Sequence, residues 1–442
     1  MLLTAERVLV NGEPQAGVAL LIGEDGRISA VRRLESGERP DRVLAGRLLV
    51  PGLVNANARV WPRLVPFVAV AADVEAQEAA ERLVLNRLDA DGLRDVARLA
   101  FAEMLVEGVT TVAVMHELHH QPDGTPYDDP AELADAVVQG ARDAGIRLSL
   151  VRSIRVGERK DATPASVCAR SIDRSAEAAA DDLLCMAQRL LSFGDMRLAW
   201  GLGAQSPAAV SLHGLIALKT RFAHAAFHLP IHGSEAELHG LGTNGRYGAI
   251  EAFAAANLVD SCTVLCGSAE VTEREGNWAA LLGASTCLVP AGAGAAPTPR
   301  NLLRQLSVCL GSGLSRSLRA VVRELARQSM ALDSVSALRG QRSNGQALFA
   351  ALTEHGCQAL QIEAGRIAPN RWADLVSFDL NDPLLADADE PDLVARVVGA
   401  GRELLARDVM VGGQWVVEDG AHQGLQDAHA KVERAAARLC VN

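Results

Sequence analysis

Short apolar runs broken by turn signals fill the first fifty residues of the chain. Arg7-Val8-Leu9-Val10 leads into Asn11-Gly12, Gly17 to Ile22 leads into Glu24-Asp25-Gly26, and Ile28 to Val31 follows. This texture predicts small antiparallel strands joined by tight turns, since Asn-Gly and Asp-Gly take up the left-handed backbone such turns require. The same texture returns at Ala373–Asp379, at Arg407–Val411 with Gly412-Gly413, and at Gln414–Val417. Both chain ends are therefore expected to form one small β-sandwich domain, residues 1–50 and 365–442, with an amphipathic helix from Leu425 to Leu439.

Between the ends the pattern changes to short buried strands alternating with helices. The strands expected are Leu49–Ala56, Val109–His116, Ile146–Ser153, Met196–Gly203, Ala226–Gly233, Cys262–Gly267, Thr286–Pro290 and Ser307–Gly311. Helices are expected over Leu93–Glu107, Pro130–Ala144, Ser175–Leu191 and Arg316–Gln328. Eight strand–helix units in about 300 residues are what a (β/α)₈ barrel needs, and such a barrel carries its site at the C-terminal ends of its strands. The α/β barrel is placed at residues 51–364; an open doubly wound sheet is the alternative that periodicity alone leaves standing.

Composition sharpens this picture. Of 442 residues, 49% are hydrophobic and only 3% aromatic, so the core has to be built from Ala, Leu and Val. The net charge is −11 and no Lys/Arg-rich run occurs, which argues against nucleic acid or an anionic membrane as partner. The 8 cysteines form no CxxC pair and read as reduced thiols of a cytoplasmic protein. No basic segment precedes an apolar run near Met1, and no apolar stretch reaches the length of a membrane span, so neither a signal peptide nor a membrane anchor is expected. The Gly-rich stretch Ala291-Gly292-Ala293-Gly294-Ala295-Ala296 lacks the Lys and spacing of a phosphate cradle.

Two stretches carry a family resemblance. Arg47-Leu48-Leu49-Val50-Pro51-Gly52-Leu53-Val54-Asn55 resembles the segment that leads into the barrel of the amidohydrolase superfamily, and Ile367-Ala368-Pro369-Asn370-Arg371-Trp372-Ala373-Asp374-Leu375-Val376 resembles that superfamily's return to its β domain. The run His116-Glu117-Leu118-His119-His120-Gln121-Pro122-Asp123-Gly124-Thr125-Pro126-Tyr127 is similar, within it, to the formimidoylglutamate deiminases, which release ammonia from N-formimino-L-glutamate. The resemblance spans nearly the whole chain, from Pro51 to the closing strands at Val409–Gly420. It implies a zinc-bound hydroxide in the barrel mouth, a metal held by a His-x-His on strand 1, a His on strand 5, a His on strand 6 and an Asp on strand 8, and a proton-moving Glu three residues after the strand-5 His. It also implies a homodimer.

Matched residue by residue, the chain departs from that pattern. The His-x-His positions hold Asn57 and Arg59, the strand-6 position Cys266, and the strand-8 position Gly313; His232 and Glu235 are retained. Four of five metal positions are thus substituted, a catalytic zinc needs about three protein ligands, and Arg59 brings a permanent cation. No metal and no cofactor are expected, with His232 and Glu235 vestigial. Substrate-holding positions differ too: the family's His-Ser-x-Arg corresponds to Gln205-Ser206-Pro207-Ala208, its Gln to Pro62, and its Tyr to Glu117. The expected ligand pocket is Asn57, Arg59, Glu117, Gln205, Cys266 and Gly313, holding an unidentified small molecule. Arg59 or another cation is expected to pair with Glu235 in place of the metal charge, since a buried unpaired carboxylate is costly. His116, His119 and His120 are expected to shape a loop. The functional expectation is a homologue inactive toward N-formimino-L-glutamate that binds or regulates; the alternative is a hydrolase with a rearranged or metal-free site.

Overall fold

The computed structural model describes residues 1–68, 74–157, 168–232, 241, 248–267, 273–289, 307–315, 317–323, 344–389, 393–399 and 404–440. The N-terminal strands are β1 (Leu2–Val10), β2 (Glu13–Gln15), β3 (Val18–Ile22), β4 (Ile28–Arg33) and β5 (Arg42–Pro51). The barrel strands are β6 (Leu53–Ala58), β7 (Val109–His116), β8 (Arg147–Ile154), β9 (Leu198–Ala204), β10 (Ala226–Pro230), β11 (Thr263–Gly267), β12 (Ser285–Leu288) and β13 (Val308–Leu310). The chain closes with β14 (Leu375–Asp379), β15 (Asp408–Val411) and β16 (Gln414–Val417).

Two sheets result. One is mixed, runs β16-β15-β14-β5-β1-β3-β4 with β2 hydrogen-bonded to β1, and joins the two chain ends as expected. The other holds the eight strands β6 to β13 in sequence order, and all its neighbours are parallel. It closes where Ala58 bridges Gly313. The amide of Gly313 donates to the Asn57 carbonyl at 2.9 Å and that of Arg59 to the Gly313 carbonyl at 3.2 Å. Asn55 and Ser312 add two side-chain bonds across the same seam, at 2.9 and 3.0 Å. The fold is a (β/α)₈ barrel with a β domain built from both ends.

One strand differs from expectation. Leu49–Ala56 is not continuous: the chain leaves the small sheet at Pro51 and joins the barrel at Leu53. Gly52 makes the break possible, since a Cβ there would lie 2.0 Å from the Thr110 hydroxyl. Strands β10, β12 and β13 end earlier than expected, at Pro230, Leu288 and Leu310.

The helices follow the apolar spacing. α1 (Ala90–Val106) starts at Asp89, whose carboxylate accepts from the Gly92 amide at 2.7 Å, and buries Leu93, Val96, Ala100 and Phe101. α2 (Glu132–Ala144) and α3 (Ala176–Ser192) cover the next strands. The expected Arg316–Gln328 helix is helical at 318–323, and its remaining part, 316 and 324–328, lies outside the described residues. α4 (Glu354–Ala359) sends Cys357 into the cluster of Val54, Ala113 and Val151, and Ala359 into the cluster of Ala56 and Val264. α5 (Leu425–Cys440) is the expected tail helix. Among the described residues no helix is long and apolar enough to cross a membrane.

Candidate functional site in the barrel mouth

β6 delivers its last residues to the mouth through a register shift between Asn55 and Ala58 against β7. Asn57 is buried at 6% exposure, and its Oδ1 has no hydrogen-bond partner among the described residues. Arg59 donates from Nε to Glu117 Oε1 at 3.1 Å, and the Trp61 indole donates to the same oxygen at 2.8 Å. Among the described residues Arg59 thus pairs with Glu117, a carboxylate just past the end of β7. Glu235 itself lies outside the described residues, as does the 291–296 loop.

Across the mouth, β11, β12 and β13 set Cys266, Cys287 and Cys309 in one row, because Cys266 is in register with Cys287 and Cys287 with Cys309. His228, from β10, stands with Nδ1 3.7 Å from the Cys266 sulfur. The Cys266 thiol lies 3.6 Å from the Val264 carbonyl, to which it donates, and neighbouring Cys287 and His228 draw it well below the usual thiol range despite its burial. Cys287 is pushed up by its contacts with Cys266 and Cys309 and by burial. His232 follows β10 with its ring against Gly267, where a Cβ would fall 2.2 Å from Nδ1.

Gly313 sits at φ +57°, and a Cβ there would meet the Val289 side chain at 2.6 Å. Any side chain at this position is strained by both the backbone and the neighbour. Gln205 points away from this group. It accepts from Arg155 at 2.9 Å and donates to the carbonyls of Ser153 and Ser171, so it braces loops. Of the expected pocket residues, the structure gathers Asn57, Cys266 and the Gly313 backbone, sets Arg59 and Glu117 as a pair beside them, and sends Gln205 elsewhere. His228, Cys287 and Cys309 were missed; aligning the short apolar runs of β10 to β13 side by side would have exposed them.

The histidine-rich run is architecture. Arg170, fully buried, donates to the carbonyls of His120, Leu85 and Leu88 and to the Tyr127 hydroxyl. His119 Nε2 lies 3.0 Å from the Ser153 carbonyl, and His120 Nε2 lies 3.6 Å from Asp173, which Arg152 also grips. Burial pushes the Asp173 carboxyl upward, but Arg152 and His120 outweigh it and hold the group well below the usual range. For His116, burial lowers the pKa from 6.5 to about 3, with Arg152 and Arg170 acting in the same direction. His119 is lowered for the same first reason.

An acid response follows with a defined sign. A histidine whose folded pKa lies below its unfolded value contributes stability that is full above pH 6.5 and is lost as pH falls toward about 3. At ~1.36 kcal/mol per unit, protonation of His116 in the unfolded chain takes away on the order of 5 kcal/mol of stability by about pH 3, roughly 2 kcal/mol of it by pH 5. Urea midpoints should therefore fall between roughly pH 6.5 and 5, above the range where ordinary carboxylates titrate. A His116→Leu variant should show a shallower slope there; equal slopes would remove His116 from the explanation.

Arg59 is paired with Glu117, Gly313 offers no side chain, and among the described residues no group of three or more His, Cys, Asp or Glu is placed to hold a metal.

No family model matches the chain. It is 30% identical to a formimidoylglutamate deiminase of Pseudomonas aeruginosa, over 95% of each chain. It is 26% identical to a 5-methylthioadenosine/S-adenosylhomocysteine deaminase of Natronomonas pharaonis, over 94% of this chain and 92% of that one. Its fold superposes on an amidohydrolase from Brucella melitensis with a TM-score of 0.84 and 21% identity, covering 98% of both chains. An adenosine deaminase from Xanthomonas campestris with bound zinc gives 0.79 and 18%, covering 99% of this chain and 98% of that one. The chain belongs to the amidohydrolase superfamily, as a member of the formimidoylglutamate deiminase family within it.

Proposed function

We propose that this chain is a deiminase homologue that has given up zinc-dependent hydrolysis of N-formimino-L-glutamate and acts as a small-molecule binding or regulatory protein. The observation that carries the proposal is the pairing of Arg59 with Glu117, with Trp61 on the same carboxylate oxygen. By the family resemblance, Arg59 stands at a metal-ligand position and Glu117 at a substrate-side tyrosine. Two departures from the pattern that satisfy each other's charge describe a rebuilt site. Gly313 adds support, because a Cβ there would meet the Val289 side chain at 2.6 Å, which opposes the aspartate that the family places there. His232 and Glu235 are then remnants of the older chemistry. A homodimer in the cytoplasm is part of the same proposal.

The test is ammonia release from N-formimino-L-glutamate by purified protein supplied with excess zinc. Release at the rate of buffer alone is expected, and enzyme-dependent turnover overturns the proposal.

A further inference from the structure

A cavity of about 380 Å³ lies between the helix Val74–Arg87, the start of α1 and the last turn of α5, and it shares no lining residue with the mouth. Leu88, Ala435 and Leu439, all buried, give it an apolar wall. Arg87 and Arg438 line it from two different helices, and both are exposed. The first is held in place, since its Nη1 donates to the Leu439 carbonyl at 2.9 Å. The backbone at Leu88 is held as well, because its carbonyl accepts from the fully buried Arg170 at 2.7 Å. Asp89, the one acid of the lining, accepts from the Gly92 amide at 2.7 Å. Arg438 makes no ion pair among the described residues. The cavity therefore sets two cations and an apolar wall against a single acid that already has a backbone donor.

We propose that this cavity binds a small amphipathic carboxylate, with the carboxylate on Arg87 and Arg438 and the apolar body against Leu88, Ala435 and Leu439. A guanidinium presents its donors as a rigid fork that matches a carboxylate. Charge alone contributes little where both partners stay hydrated, so a bare inorganic anion gains little here. Removing an apolar body from water supplies the rest of the binding. The volume is at the small end of the ~300–1,000 Å³ typical of ligand cavities, which suits an acid with one ring or a short chain. Because Arg87 and Leu88 are fixed before the ligand arrives, less ordering opposes binding. This site goes beyond the function proposed above and does not depend on whether ammonia is released.

The experiment is equilibrium dialysis of the full chain against radiolabelled benzoate at physiological ionic strength. Saturable binding of one benzoate per chain is expected. Benzamide keeps the ring without the charge, inorganic phosphate keeps the charge without the ring, and each is expected to compete at least about tenfold more weakly than unlabelled benzoate. Arg438→Gln is expected to weaken benzoate binding by about tenfold, since a hydrogen bond to a charged partner is worth that much. Arg438→Lys, which keeps the charge and gives up the fork, is expected to retain part of the affinity. Arg434→Gln removes an exposed cation of the same helix outside the cavity and is expected to leave binding unchanged. Absence of saturable benzoate binding overturns the proposal. Benzamide or phosphate competing as well as benzoate does so too, as does an Arg438→Gln variant that binds benzoate as tightly as the wild type.

Discussion

Incubated with N-formimino-L-glutamate and excess zinc, the protein is expected to leave the substrate's nitrogen in place. Metal coordination brings the pKa of bound water from ~15.7 to ~7, and losing it removes on the order of 12 kcal/mol of nucleophile activation at neutral pH. That is roughly nine orders of magnitude in the concentration of hydroxide poised for attack, at ~1.36 kcal/mol per tenfold. No adjustment of loops recovers a deficit of this size within the same mechanism. Arg59 adds to it, because a guanidinium cannot deprotonate to make room for a divalent cation. Glu117, its partner, is buried at 7% exposure and holds two donors, so the pair is fixed in place. An assay that follows both ammonia and substrate disappearance distinguishes true inactivity from a change of product.

Asp374→Ala is expected to be the most damaging single substitution outside the mouth, costing ~3–5 kcal/mol of stability. Asp374 accepts two bonds from Arg147, at 2.6 and 3.0 Å, and one from the Gly412 amide at 2.7 Å. Arg147 is 2% exposed, also donates to the Met196 carbonyl at 2.8 Å, and lies over the Trp372 ring at 4.7 Å. Arg147 starts barrel strand β8 and Asp374 precedes β14, so the pair ties the barrel to the small sheet. Removing the carboxylate leaves a buried guanidinium unneutralised, which costs far more than an exposed pair ever contributes. The Arg27–Glu363 pair serves as control: Glu363 is 64% exposed, and Glu363→Ala is expected to change stability by less than about 1 kcal/mol. Urea denaturation of the two variants should separate them clearly. Similar small losses in both would show that the barrel and the sheet do not depend on this link.

Much of the fold was legible in the sequence because burial on both faces writes parallel strands as unbroken apolar runs. Val109–His116 is such a run, and its strand has those bounds. Where the expectation failed, the cause was a single close approach: nothing local in Leu49–Ala56 announces that Gly52 must pass beside Thr110. The site was legible only in part. Residue types at Asn57, Arg59 and Gly313 signal a change, but the pairing of Arg59 with Glu117 depends on barrel geometry that residue types do not carry. The cysteine row escaped notice for a related reason. Cys266, Cys287 and Cys309 are about twenty residues apart along the chain, and they become neighbours only through strand register.

The long histidine motif illustrates the opposite case. His116, His119 and His120 have metal-like spacing, yet their surroundings are carbonyls, Asp173 and buried guanidiniums. Spacing along a loop says little until the partners are known, and here those partners belong to the loop's own scaffold.

Zinc content after dialysis against zinc-containing buffer, measured on the native protein and on His232→Ala, addresses the central claim most directly. Substoichiometric zinc in both proteins is the expected result on the proposed reading, in which Arg59 and Gly313 stand where two ligands would. One equivalent per chain in the native protein, lost in His232→Ala, would contradict it.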